Sequence, residues 1–157
     1  MTWTSPADLI PSQDGHHEVW TIQKILNWSV SWLREKGQDT DATNQRLEVE
    51  LLIAFTLQCE RIALYSQLDR PLTKSEREDV KVLLRRRAEG EPISQILGYR
   101  DFYRHKFKVN RNVLTPRPDT EVLVEVAIDT ARNLENPLIL DVGVGSGFVG
   151  LSIALAV

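Results

Sequence analysis

The residues most able to do chemistry lie in one glycine-rich stretch, DVGVGSGFVG, at positions 141–150. A nearly all-apolar run, Leu138 to Val142, leads into it and is typical of a buried parallel strand. Glycines at 143, 145 and 147 permit positive φ and let backbone amides approach a ligand closely. A new helix is expected from Phe148 onward. This order of strand, glycine loop and helix predicts a Rossmann-type nucleotide site.

Two kinds of nucleotide cofactor fit these glycines. Residues 145–150 match the G-x-G-x-x-G dinucleotide pattern. That alignment places Asp141 within a buried strand, where an unpaired carboxylate is destabilising. If the loop begins at Gly143 instead, Asp141 stands at the carboxyl end of the strand, facing the crevice where such sheets bind ligands. Asp-x-Gly-x-Gly-x-Gly is the arrangement associated with S-adenosylmethionine. The methyl donor is therefore favoured, and an NAD-binding domain is the weaker alternative.

Four regions precede and position this loop. Residues 1–16 indicate a flexible arm, and residues 17–90 indicate a small helical bundle. Residues 91–114 carry strand-forming residues with partial alternation and are interpreted as a β-hairpin linker. Residues 115–157 then contain the start of an α/β domain. The fold class predicted is an α-helical N-terminal bundle, a β-hairpin linker and the beginning of a Rossmann-like methyltransferase domain.

The bundle is predicted from apolar periodicity and from helix boundary signals. Apolar residues that recur at spacings of three and four residues predict a helix over 17–36, ended by Gly37, and a second helix over about 45–57. Thr73 and Glu76 make a Thr-x-x-Glu capping box for a third helix, which should stop near Gly90. Helices this short are marginal in isolation, so they must share their apolar faces.

The hairpin is expected to be followed by a further helix. Residues 110–112 are predicted to form a turn, and Pro118 suits the first position of a helix that extends to about Asn133. The helical positions predicted to face a core are Val122, Leu123, Val126 and Ala127. His105 is interpreted as an exposed strand residue, since no carboxylate or second histidine stands near it in sequence.

Composition and charge bound the function classes. The net charge of −3 is the sum of net charges of −5, +7 and −5 over residues 1–80, 81–117 and 118–157. The basic segment is interleaved with aromatic residues, a mixture that suits protein surfaces and nucleic acid alike, while a solvated helix end and hairpin explains it equally well. One cysteine, Cys59, lacks a partner at metal-ligand spacing, so no metal site is expected. Without a signal segment or an apolar run long enough to span a bilayer, a cytoplasmic location is expected.

Three motifs together resemble one enzyme family. These are RAEGEPISQILG at 87–98 with Phe102 after it, LTPRPDTE at 114–121, and the Asp141 loop. The combination resembles the HemK/PrmC family of glutamine methyltransferases, as does RLEVELL at 46–52. The resemblance implies a bundle that recognises the partner, a hairpin, and a seven-stranded domain that uses S-adenosylmethionine. It also implies that the substrate is the glutamine of the Gly-Gly-Gln loop in peptide chain release factors.

The resemblance also assigns roles to residues. Cofactor contacts, chiefly through backbone, are implied for Asp141, Gly143, Val144, Gly145, Ser146 and Gly147. Positions lining the approach to the active site are implied for Phe102, Thr115, Pro116, Arg117 and Pro118. Pro118 and Asp119 equally serve as a plain helix start.

The family's catalytic segment is not among these residues. The acidic strand end that holds the ribose, expected about twenty residues after the loop, and the Asn-Pro-Pro-Tyr segment that grips the substrate amide are both absent. The chain is therefore expected not to turn over alone, and residues 118–157 to be poorly ordered, self-associated or completed by another chain. The alternative is a non-catalytic binding module for a release factor or, secondarily, RNA.

Overall fold

A computed structural model of the chain describes residues 19–36 and 42–157. Its contacts divide it into a first unit, the described part of residues 1–84, and a second unit, residues 85–157. The expected arm, 1–16, and the expected helix stop, Gly37, lie outside the described residues. The elements are α1 (Ile22–Glu35), α2 (Ala42–Thr56), a 3-10 helix (Arg61–Leu64), α3 (Lys74–Ala88), α4 (Ile93–Leu97), β1 (Tyr99–Phe102), β2 (His105–Lys108), α5 (Thr120–Arg132) and α6 (Phe148–Ala154).

Helix α1 begins later than the predicted position 17. Thr21 is extended and caps the helix, its hydroxyl accepting a hydrogen bond from the Lys24 N–H at 3.3 Å. Thr21 also forms a β-bridge with Pro71, and the Ile22 N–H donates to the Arg70 carbonyl at 3.1 Å. The backbone before Ile22 is therefore extended because it pairs with a distant segment, which apolar periodicity does not reveal.

The first unit is a helical bundle with an apolar core, as predicted. Its fully buried aliphatic side chains come from three helices and the 3-10 helix: Ile22, Ile25, Leu26, Leu33, Val49, Leu52, Ile53, Leu64, Val80 and Leu84. Trp20, which precedes α1, contacts Trp28, and Trp28 stacks on the buried Trp32, with ring centroids 6.3 and 5.9 Å apart. Aromatic contacts of this kind add to the stability gained from burial.

The capping box at the start of α3 is confirmed. The Glu76 N–H donates to the Thr73 hydroxyl at 3.2 Å, and the Thr73 N–H donates to the Glu76 carboxylate at 2.8 Å. The Arg70 guanidinium also donates to Glu76, at 2.5 Å. This reciprocal bonding satisfies backbone donors that would otherwise have no partner in the first turn, so the helix starts at Lys74.

The predicted hairpin is present in the second unit. β1 and β2 pair antiparallel, with Tyr99 opposite Lys108 and Phe102 opposite His105. The chain reverses at Tyr103 and Arg104, and Tyr103 has a φ of +54°, a conformation that short hairpin loops demand. The turn predicted at 110–112 is also present, closed by the Val113 N–H on the Asn110 carbonyl at 3.1 Å.

The core of the second unit lies between the hairpin, α5 and α6. Its buried members are Phe102, Val109, Val124, Ile128, Phe148 and Ile153. The predicted inward face of α5 was mostly wrong: Val122, Leu123 and Val126 are each more than half exposed. Helix α5 carries apolar residues on more than one face, and the hairpin with α6 covers only the face that contains Val124 and Ile128.

The predicted buried strand at 138–142 does not form. Leu138, Leu140 and Val142 are 98%, 84% and 86% exposed, and no strand is assigned to this segment. A strand is defined by hydrogen bonds to a neighbour, and the sheet of the described residues consists of β1 and β2 alone. The Rossmann-like sheet predicted here is therefore not formed by residues 19–36 and 42–157. Within the same ranges, no helix has the length and apolarity needed to cross a membrane.

Candidate cofactor site

The glycine loop has the backbone geometry that the sequence predicts. Gly143, Gly145 and Gly147 have φ values of +82°, +52° and +78°. A Cβ added to Gly143 would meet nothing within 4 Å. The dihedral angle, rather than lack of space, therefore makes glycine necessary there. The Gly147 N–H donates to the Val144 carbonyl at 2.8 Å, which closes the turn immediately before α6.

The Asp141 carboxylate lies against the first turn of α6. A Cβ built on Gly150 would stand 3.3 Å from Asp141 Oδ2, so this contact depends on the small size of Gly150. Asp141 Oδ2 is buried and has no hydrogen-bond partner among the described residues. A buried carboxylate oxygen without a donor is destabilising. This oxygen therefore has capacity for a cationic or hydrogen-bonding group that the described residues do not supply.

These features fit S-adenosylmethionine in part. Exposed backbone around the loop glycines offers close approach, and the Asp141 carboxylate is an acceptor suited to an ammonium group. The loop residues Val142 to Ser146 are exposed, and no other described segment covers them. These groups could therefore contact a cofactor on one side, but no crevice encloses them in the described residues.

Phe102 is placed next to the exit of this loop. Its side chain is 1% exposed, and its ring centroid lies 6.0 Å from that of Phe148, the first residue of α6. Phe107 makes a closer edge-to-face contact with Phe148, at 4.7 Å. Phe102 therefore supports the loop from the core of the second unit, and it does not line an open approach in this structure.

The Thr115–Pro118 segment is tied to the start of α4. The buried Ser94 hydroxyl lies 3.1 Å from the Thr115 hydroxyl, across the base of the hairpin. Arg117 and Pro118 are exposed, and the Thr120 N–H donates to the Arg117 carbonyl at 3.0 Å. The segment thus forms a turn into α5, which begins at Thr120 rather than at the predicted Pro118. Among the described residues, no hydrogen bond joins this segment to the glycine loop.

Sequence reasoning did not assign roles to Glu91 and Ser94, although both lie in the EPIS motif. The Arg86 guanidinium donates two hydrogen bonds to the Glu91 carboxylate, at 2.7 and 2.6 Å. These bonds lower the pKa of Glu91 and raise the pKa of Arg86. The ion pair and the Ser94–Thr115 contact fasten α4 to the end of α3 and to the segment after the hairpin. The one signal in the sequence was the motif itself.

Comparison with known proteins identifies relatives of this chain. The PrmC N-terminal domain profile matches residues 24–98. A release factor glutamine methyltransferase of Rhodopirellula baltica is 40% identical over 139 residues, which is 86% of this chain and 46% of the relative. Its counterpart in Geobacter sulfurreducens is 42% identical over 137 residues, 87% of this chain and 46% of the relative. This chain is therefore similar, over most of its length, to release factor glutamine methyltransferases.

The resemblance stated from the motifs is thereby confirmed, and the relatives are named as enzymes. The chain spans about half the length of the curated relatives it matches. The PrmC N-terminal match ends at Gly98, immediately before β1. It therefore includes the Arg86–Glu91 ion pair and Ser94, while the hairpin and the glycine loop follow it.

Proposed function

We propose that this chain supplies the N-terminal domain and the cofactor loop of an enzyme that methylates the glutamine side-chain amide in the Gly-Gly-Gln loop of peptide chain release factors. The observation that carries the proposal is the Asp141 loop: three glycines at positive φ beside a buried carboxylate oxygen that has no hydrogen-bond partner among the described residues. The names of the relatives supply the substrate class. A cytoplasmic location follows from that class of substrate.

S-adenosylmethionine, when bound, would supply an electrophilic methyl group for the substrate amide nitrogen. Residues 143–147 would hold the cofactor through backbone groups, and Asp141 would accept hydrogen bonds from its ammonium group. An amide nitrogen is a weak nucleophile, so catalysis depends on orienting it and on stabilising the developing charge. The 157 residues include no Asn-Pro-Pro-Tyr segment for that task.

We therefore propose that the 157-residue chain alone does not transfer methyl groups. The exposed, unpaired run at 138–142 supports this proposal, because a loop anchored on an unpaired segment cannot hold a cofactor rigidly. Radiolabelled methyl transfer to a purified release factor tests it. Background-level incorporation is expected, and multiple turnovers by this polypeptide would refute the proposal.

The cofactor assignment is tested separately by calorimetric titration. S-adenosylmethionine should bind weakly and NAD should not bind. Asp141→Asn should weaken the binding, whereas Asp129→Asn, an exposed aspartate on α5, serves as a control and should leave it unchanged. Binding of NAD in preference would establish the dinucleotide alternative, and failure of both cofactors to bind would refute a working cofactor loop in this chain.

A binding module is the second candidate function. It is favoured by the match of residues 24–98 to the PrmC N-terminal domain, which is followed later in the sequence by an exposed glycine loop. The measurement is capture of a release factor by the chain with and without S-adenosylmethionine. Cofactor-independent capture without methylation would support this candidate, and absence of capture would exclude it.

A further inference from the structure

The hairpin presents a concentration of positive charge that the proposed methyl transfer does not use. Residues 99–108 contain Arg100, Arg104, Lys106 and Lys108 against one carboxylate, Asp101. Arg104, Lys106 and Lys108 are exposed, and none of them forms an ion pair with the described residues. Uncompensated cations on one short element attract a polyanion.

Strand alternation places these cations away from the core. Phe107 faces the apolar core of the second unit, so Lys106 and Lys108, on either side of it, project from the opposite face. Their partners across the hairpin are Asp101 and Tyr99. We call Tyr99, Arg104, Lys106 and Lys108 the basic hairpin surface.

Two aromatic rings lie under the cations. Lys106 Nζ is 4.3 Å from the centroid of the Tyr99 ring, and the Arg104 guanidinium carbon is 5.4 Å from the centroid of Tyr103. Rings and guanidinium planes are the platforms on which unpaired bases stack, while neighbouring cations bind the phosphates.

The composition of the surface separates nucleic acid from an acidic protein. Protein interfaces have an apolar centre and are depleted in lysine. The outer face of the hairpin has no aliphatic residue, since its strand positions are Tyr99, Asp101, Lys106 and Lys108. Phosphate binding requires cations and no apolar centre. We propose that the basic hairpin surface binds single-stranded nucleic acid through its phosphate backbone.

The proposal makes a quantitative claim about salt. Each phosphate neutralised on a single strand contributes about −0.7 to the slope of log K against log salt concentration, so three cations give about −2. Affinity should then fall roughly 20-fold between about 50 and 200 mM salt. With Lys106→Gln and Lys108→Gln together, one contact remains and the fall should be roughly threefold.

A substitution of Asp101 should change the affinity for nucleic acid in the opposite direction. The Asp101 carboxylate lies on the outer face opposite Lys106 and repels phosphate. Asp101→Asn should therefore tighten binding, a result that loss of folding cannot imitate. As a matched control, Arg34→Gln with Lys74→Gln removes two exposed cations from the first unit and should leave the affinity nearly unchanged.

The experiment is fluorescence anisotropy of a short labelled RNA of mixed sequence titrated with the full chain and each variant, with circular dichroism to verify folding. A labelled polyglutamate peptide is titrated in parallel. RNA binding with the stated slope, weakened by K106Q/K108Q, strengthened by D101N and unaffected by R34Q/K74Q, would support the proposal. It would be overturned by absence of RNA binding at low salt, by equal losses in the control variant, or by polyglutamate binding as tight as RNA.

Discussion

Replacing Glu50 with glutamine should lower the free energy of unfolding of the first unit by about 2 kcal/mol. The Glu50 side chain is 2% exposed and accepts hydrogen bonds from Arg46 at 3.0 Å, Arg61 at 2.8 Å and Tyr65 at 2.5 Å. Glutamine keeps the shape of the side chain but loses the negative charge. Its amide N–H₂ is a donor and would face at least one of the three present donors, so at least one hydrogen bond is lost. A hydrogen bond to a charged group contributes about 1.5–3 kcal/mol. The lower half of that range applies because both arginines are nearly half exposed and can regain water.

The same network predicts a pH dependence. Burial raises the pKa of Glu50, but the hydrogen bonds from Tyr65, Arg61 and Arg46 outweigh it and leave the pKa below its ordinary value. A carboxyl group with a depressed folded-state pKa stabilises the protein above its unfolded-state pKa. That stabilisation is lost as the pH falls through the folded-state pKa. The difference in stability between wild type and Glu50→Gln should therefore shrink below about pH 4.

Urea unfolding followed by tryptophan fluorescence measures this effect in the first unit, because all four tryptophans lie before residue 33. Glu60→Gln is the matched control, since Glu60 is exposed and its side chain makes no capping hydrogen bond. A loss below about 0.5 kcal/mol in Glu50→Gln, the range usual for surface substitutions, would refute the reasoning. So would a difference from wild type that stays constant as the pH falls from about 4 toward 2.

Four further predictions concern a cap, the loop, and the exposed and buried faces of α5. Thr73→Ala should cost about 1 kcal/mol of first-unit stability by urea unfolding, since it removes a cap; an unchanged midpoint would contradict the capping role. Gly145→Val should weaken S-adenosylmethionine binding in a titration, because valine is strained at a φ of +52°. Val126→Lys should reduce self-association in sedimentation velocity without loss of helix content, whereas Ile128→Ala should destabilise the second unit by roughly 2–5 kcal/mol in thermal unfolding.

Local signals that depend on neighbouring residues were predicted well. The capping box of Thr73 and Glu76 forms as expected because its bonds span three residues. The positive φ of the loop glycines likewise follows from turn chemistry within 141–150. In the candidate site, the sequence therefore located the loop, and the confirmed family resemblance came from the same motifs.

Features that depend on a contact with a residue distant in sequence could not be predicted from local sequence patterns. Periodicity along α5 favoured an inward Val126, but the core lies at Val124 and Ile128 because the hairpin and α6 occupy that side. Similarly, the Ser94–Thr115 contact joins residues 21 positions apart, and the sequence around either residue does not predict it.

The amino-acid sequence by itself determined the helices of the bundle, the hairpin, the glycine loop and the family resemblance, because each depends on short-range pattern or on motif identity. Tertiary structure alone decided which helix face is buried, where α1 begins and that Asp141 Oδ2 is buried with no hydrogen-bond partner in the part of the chain that the structure describes. It also decided that residues 138–142 remain unpaired. The physical reason is that burial and strand pairing are properties of two surfaces in contact, and one stretch of sequence specifies only one of them.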